Sequence, residues 1–145
     1  HPKVKELMTN ESDEIKLEKQ ELSKDDMTAM VDCEKLMNVK EVSLKDCCID
    51  EIKISLITQN VTWKNLKKLD LTWNSFGEEG AQAIGSNVTW VNLEELCLAK
   101  NNIRDNGAEA IGGNTSWKNL KKLDLSTNNV GDKGAEAIGL NTTWI

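Results

Sequence analysis

The chain has 145 residues, 39% hydrophobic and 29% charged, with a net charge of −6 and a pI near 4.9. That composition suits one domain with a continuous core and excludes fibrous and low-complexity classes. The acidic balance argues against nucleic acid as a partner, which needs a basic face, and no apolar run approaches the roughly 20 residues of a membrane-spanning helix.

Residues 1–11, beginning HPKVKELMTN, read as an N-terminal extension or cap without the apolar core of a signal peptide. His1 is the sole histidine and is expected at a flexible terminus. Residues 1–60 hold 9 Lys against 14 Asp and Glu, whereas the rest holds 9 basic against 10 acidic residues. This acidic end either faces a basic partner or is simply solvated.

From residue 12 to 145 the chain repeats with a period of 27. NVTWKNLKKLDLTWN (60–74) returns as NVTWVNLEELCLAKN (87–101) and NTSWKNLKKLDLSTN (114–128). Two earlier registers keep only the apolar pair, giving Ile15/Leu17, Val42/Leu44, Leu69/Leu71, Leu96/Leu98 and Leu123/Leu125. Alternation predicts strands near 15–17, 42–44, 69–71, 96–98 and 123–125, while GEEGAQAIG predicts a short helix from about Glu78 to Gly85. Each unit is then strand, turn, helix and return loop. The first two units are atypical: Gln20 and Cys47 stand where later units have Asn74, Asn101 and Asn128, and Asp26 and Lys53 stand where they have Gly80, Gly107 and Gly134.

LKKLDLTWN, LEELCLAKN and LKKLDLSTN, each followed by a GxxGAxAI-like helix, resemble the leucine-rich repeat family, in its ribonuclease-inhibitor and Ran GTPase-activating-protein form. The resemblance covers about Ser12 to Trp144. It implies an α/β right-handed solenoid, a horseshoe segment with a concave parallel sheet and convex short helices, and a role in protein binding. Strands about 4.8 Å apart and helices about 8–10 Å apart require the strand side to be concave.

Within that frame Asn74, Asn101 and Asn128 are expected to bond the main chain of adjoining turns. The repeated glycines are expected to let the helices approach the sheet. Trp63, Trp90, Trp117 and Trp144 recur with the period and read as core. Trp73 lies outside it, so it is free to be an exposed interface anchor. Lys67, Lys68, Lys121 and Lys122 flank Glu94 and Glu95 and are expected to pair across strands.

The sequons at Asn60, Asn87, Asn114 and Asn141 are locked to the repeat, where the asparagine is expected to end the helix in a left-handed conformation; a fifth lies at Asn10. They keep secretion open. The four cysteines form no C-x-x-C pair, with Cys47 and Cys48 expected on opposite faces, which favours a reduced cytoplasmic setting.

No nucleophile, base or metal-ligand cluster is legible, so no enzyme, cofactor or metal is expected. The expected function is binding of a protein through the concave face: Lys16, Glu18, Ser43, Lys45, Asp70, Thr72, Trp73, Cys97, Lys100, Asp124 and Thr127. Alternatives are Ran-type GTPase activation, with Arg104 reaching a phosphate, or a ligand-sensing segment of an innate-immune receptor or pathogen effector. At the C-terminal end the fifth unit lacks a clear polar cap. That predicts continuation of the parent protein or end-to-end self-association, unless Trp144 and Ile145 fold back over the end.

Overall fold

The computed structural model describes residues 1–9 and 11–144. Five strands, β1 Glu14–Lys16, β2 Glu41–Ser43, β3 Lys68–Asp70, β4 Glu95–Cys97 and β5 Lys122–Asp124, form one parallel sheet in sequential order. The register is set by the repeat: Ile15, Val42, Leu69, Leu96 and Leu123 are Cα partners in turn. A slip of one residue would turn these apolar side chains to solvent, so the inward column fixes the pairing. The strands begin one residue before the expected positions. Bonding nevertheless continues past them, from Leu17 N–H to Ser43 C=O (3.0 Å) and from Leu44 N–H to Asp70 C=O (2.9 Å).

The helices are α1 Pro2–Leu7, α2 Lys24–Val31, α3 Glu51–Gln59, α4 Gly77–Gly85, α5 Arg104–Gly112 and α6 Asp132–Gly139. None is long enough to persist alone, since isolated helices below about 12–15 residues are marginal in water. They persist by stacking on one another. A Cβ on Gly107 would lie 2.8 Å from Ala81 Cβ, and one on Gly112 would lie 2.6 Å from Ala137 O. Rather than serving approach to the sheet, Gly112 makes room for the neighbouring helix, while Gly80 and Gly107 make room both for it and for the apolar side chain that opens their own helix, Phe76 Cβ lying 2.6 Å from a Cβ on Gly80 and Ile103 Cγ2 2.7 Å from one on Gly107. At the N-terminal flank α1 buries Val4, and Leu7 and Met8 pack on the core. His1 caps that helix by accepting from Lys3 N–H (3.3 Å).

Between sheet and helices the core is layered by period. Trp63, Trp90 and Trp117 are fully buried, and Trp144 stacks on Trp117 with ring centroids 6.5 Å apart. Asn101 accepts from Asn74 N–H (3.0 Å) and donates to Leu71 C=O (2.9 Å) and Leu98 C=O (3.0 Å), and Asn128 repeats the pattern one turn on. In the second unit the buried Cys47 thiol reaches back to Leu17 C=O, the part an asparagine amide takes elsewhere.

The sequon asparagines depart from expectation, because none is left-handed; Asn60 has φ −62° and ψ 127°. Each side chain closes a turn instead. Asn60 Oδ1 accepts from Thr62 N–H (2.9 Å) and Trp63 N–H (2.8 Å), and its amide donates to Val31 C=O of the preceding unit. Asn87 and Asn114 are likewise buried. Asn10 and Ile145, which carried the fifth sequon and part of the fold-back alternative, lie outside the described residues.

Candidate functional site: the concave sheet face

The side chains alternating with the inward leucines form columns on the open face. One runs Lys16, Ser43, Asp70, Cys97, Asp124 in Cα register. Two residues further along each unit lie Glu18, Lys45, Thr72, Ala99 and Ser126, and the next position holds Lys19, Asp46, Trp73, Lys100 and Thr127. This last series is left-handed throughout, with φ between 55° and 59°. A non-glycine residue there costs about 1–2 kcal/mol, so neighbours must hold it. At the first four positions bonds to the following unit do so: Lys19 N–H to Lys45 C=O (2.9 Å), Asp46 N–H to Thr72 C=O (3.0 Å), Trp73 N–H to Ala99 C=O (2.9 Å) and Lys100 N–H to Ser126 C=O (3.0 Å). The chain thus turns off the sheet at the same place in successive units, and the side chain is thrown to the rim.

Trp73 is 56% exposed, with Lys100 Nζ 4.0 Å from its ring centroid. That cation–π contact holds the indole over the face without hiding it. Asp70 Oδ1 accepts from Thr72 N–H, and Asp124 Oδ1 from Ser126 N–H, both at 2.9 Å. The Ser126 hydroxyl and amide hold the Asp124 carboxyl below its usual range. Glu18 is tied down by Ser43, whose hydroxyl donates to Oε1 at 2.8 Å.

Among the proposed contact residues, Lys16, Trp73, Lys100 and Thr127 are exposed and Glu18, Ser43, Lys45, Asp70, Thr72 and Asp124 half-buried. Cys97 differs: it stands in the column but is only 8% exposed, because Asp70 and Asp124 flank it on the adjoining strands. Burial, reinforced by the Asp70 charge, pushes its thiol pKa up, so Cys97 is a poor nucleophile and a poor contact.

Sequence reasoning left a further column, Glu14, Glu41, Lys68, Glu95 and Lys122, out of the face, although strand periodicity puts it on the same side as Lys16. With Lys16, Glu18, Ser43 and Asp70 its first three members line a cleft of about 110 Å³. The expected pairing is present, with Glu94 to Lys67 (3.3 Å) and to Lys121 (2.8 Å), and Glu95 to Lys68 and Lys122 (both 3.9 Å). The two lysines hold Glu94 below its usual pKa, Lys121 first. Arg104 opens α5, exposed and at φ 58°, in the position that Gly77 fills one unit earlier. Its backbone N–H donates to Asn128 C=O (2.9 Å).

No helix among the described residues is long and apolar enough to cross a membrane. No curated protein matches the chain. A family model described as "Leucine Rich repeat" matches residues 64–85, 91–112 and 118–139, each running from the return loop through strand and helix. The matched units carry the asparagine ladder and the 27-residue register of a single parallel sheet, and the chain belongs to the leucine-rich-repeat family.

Proposed function

We infer that the chain is a protein-interaction module that takes its partner on the concave sheet face, with Trp73 as the anchor. Repeats of this family generally mediate protein–protein interaction, and the observation that points to this face is the exposed indole held in place by Lys100. Exposed tryptophan, arginine and tyrosine supply a disproportionate share of interface energy when a partner removes them from water. Around it Asp70, Thr72, Lys45 and Lys100 supply a mixed polar rim, which gives orientation and rejects wrong partners more than it adds affinity.

The test pairs affinity capture with a stability control. Partners captured by the wild-type chain and identified by mass spectrometry are titrated against Trp73→Ala and Asp70→Lys. Affinity is expected to fall at least tenfold for Trp73→Ala, about 1.4 kcal/mol, with thermal midpoints nearly unchanged because neither side chain belongs to the core. Unchanged affinity in both variants would move the binding surface elsewhere.

A further inference from the structure

Four of the seven large hydrophobic side chains that stand exposed among the described residues, Met37, Val61, Val88 and Val91, lie on the return loops that lead into β2, β3 and β4. Each of these loops has a further unit on either side. The tryptophans of the loops are buried, and Asn60 and Asn87 close turns around Val61 and Val88 by accepting from Thr62 N–H (2.9 Å) and Thr89 N–H (3.1 Å), which leaves the two valines in water. The fold does not require an apolar residue there, since the next loop has the exposed Thr115 at that position. Side chains tie the loops into a row: Asn65 Nδ2 donates to Asn38 Oδ1 (3.3 Å), Asn92 Nδ2 to Lys64 C=O (2.8 Å) and Asn119 Nδ2 to Val91 C=O (3.1 Å). Val91, Asn92, Thr115, Lys118 and Asn119 border one shallow groove along it. The row is also basic. Residues 33–40, 60–67, 87–94 and 114–121 hold 6 Lys against 2 Glu, in a chain whose net charge is −6. Glu94 is already shared by Lys67 and Lys121, whereas Lys64 and Lys118 are exposed and take no ion pair among the described residues.

We propose that this edge is a second docking surface, separate from the concave face, and that it takes an acidic amphipathic helix of a protein partner, one helical turn to each repeat. Spacing favours a helix. Strands lie about 4.8 Å apart and packed helices about 8–10 Å apart, so loops that join the two layers and bond one another directly fall between, near the lower value. An α-helix rises about 5.4 Å per turn, and one lying along the solenoid sets a turn on each loop, with its i, i+3/i+4 and i+7 side chains over Met37, Val61 and Val88. Charge selects the kind of helix. Carboxylates beside that apolar stripe answer Lys64 and Lys118, whereas a basic helix meets repulsion there. A bilayer is the poorer occupant, because surfaces that enter one present Trp, Phe or Leu, and the tryptophans of these loops are buried.

The probe is a labelled synthetic helix of about five turns, with leucines at i, i+3/i+4 and i+7 and glutamates beside them, together with a twin carrying lysine for each glutamate. In anisotropy titrations against the full chain the acidic helix is expected to bind at least tenfold more tightly than its twin and to weaken as salt rises. Val61→Asp with Val88→Asp, and Lys64→Glu with Lys118→Glu, are each expected to lower that affinity at least tenfold. Val61→Thr with Val88→Thr copies the residue the fifth unit already has, so it keeps the fold, and it is expected to weaken binding in the same direction. Trp73→Ala is expected to leave this affinity unchanged, so the edge and the concave face stand or fall separately. In the wild type, amide chemical shifts are expected to move at 61–65 and 88–92 on adding the acidic helix and to stay fixed at 70–73, a readout free of substitutions. Equal binding of the twin, full affinity in the valine variants, or a loss with Trp73→Ala as large as theirs would each overturn the proposal. So would sedimentation of the chain with phosphatidylserine–phosphatidylcholine vesicles that Val61→Asp with Val88→Asp abolishes, since the edge would then be a membrane contact.

Discussion

At the scale of single residues, the ladder asparagines do more than a turn preference suggests. Asn101 is almost completely buried, and its amide satisfies backbone groups in three places that water cannot reach. Replacing it with leucine keeps the volume and orphans those groups. Each unsatisfied buried group costs about 1–3 kcal/mol, so with three of them orphaned Asn101→Leu is expected to lose about 3 kcal/mol or more in urea unfolding. A loss under about 1 kcal/mol would mean the freed groups find other partners. The sequon asparagines work on the same principle at the opposite end of the unit. With Asn60, Asn87 and Asn114 buried and their amides donating to the preceding unit, a glycan on any of them conflicts with this packing.

Individual helices depend on neighbours for their ends as well as their faces. α6 has no side-chain cap of its own, Gly131 standing at the N-cap. Asp105 from α5 supplies one across the repeat, its Oδ1 accepting from Gly131 N–H (2.7 Å) and Gly134 N–H (3.1 Å). The carboxylate satisfies orphan donors of the first turn and complements the positive helix end. Asp105→Ala is expected to cost about 0.5–2 kcal/mol and to raise amide exchange across α6 while leaving α3 unchanged. Equal changes in both helices would show that the cap acts on the whole array. Gly134 also explains why this carboxylate can come so close, since a Cβ there would lie 2.7 Å from Asp105 Oδ1.

For the whole molecule, stability is a sum over units and the contacts between them, so one substitution has different effects at different places in the array. Leu98 lies in the fourth unit, enclosed on both sides and fully buried; Leu125 is its equivalent in the fifth and is half-buried. Leu98→Ala is expected to cost about 2–5 kcal/mol through lost burial and the cavity left behind. Leu125→Ala is expected to cost clearly less, because less apolar surface is lost from a half-buried site. Denaturant titrations of the two variants side by side check this. Equal losses would mean that Leu125 is as well enclosed as Leu98.

The sequence by itself determined the period, the strand register, which residues face inward, the tryptophan and asparagine ladders and the pairing of Glu94 with its lysines. All of these follow from side-chain alternation repeated at a fixed interval, which the chain states openly. Trp73 was legible as exposed for the same reason: it breaks the interval. What only the tertiary structure decided involves atoms one unit away. Gly107 abuts the preceding helix and Gly112 the following one, Asp105 caps α6, the Cys47 thiol substitutes for an asparagine amide, and Cys97 is flanked by the aspartates on either side. The left-handed turn at Lys19, Asp46, Trp73, Lys100 and Thr127 was invisible for a related reason. These side chains share no composition that favours positive φ, and at Lys19, Asp46, Trp73 and Lys100 the conformation is held by bonds to the following unit, a tertiary contact that local propensity does not encode.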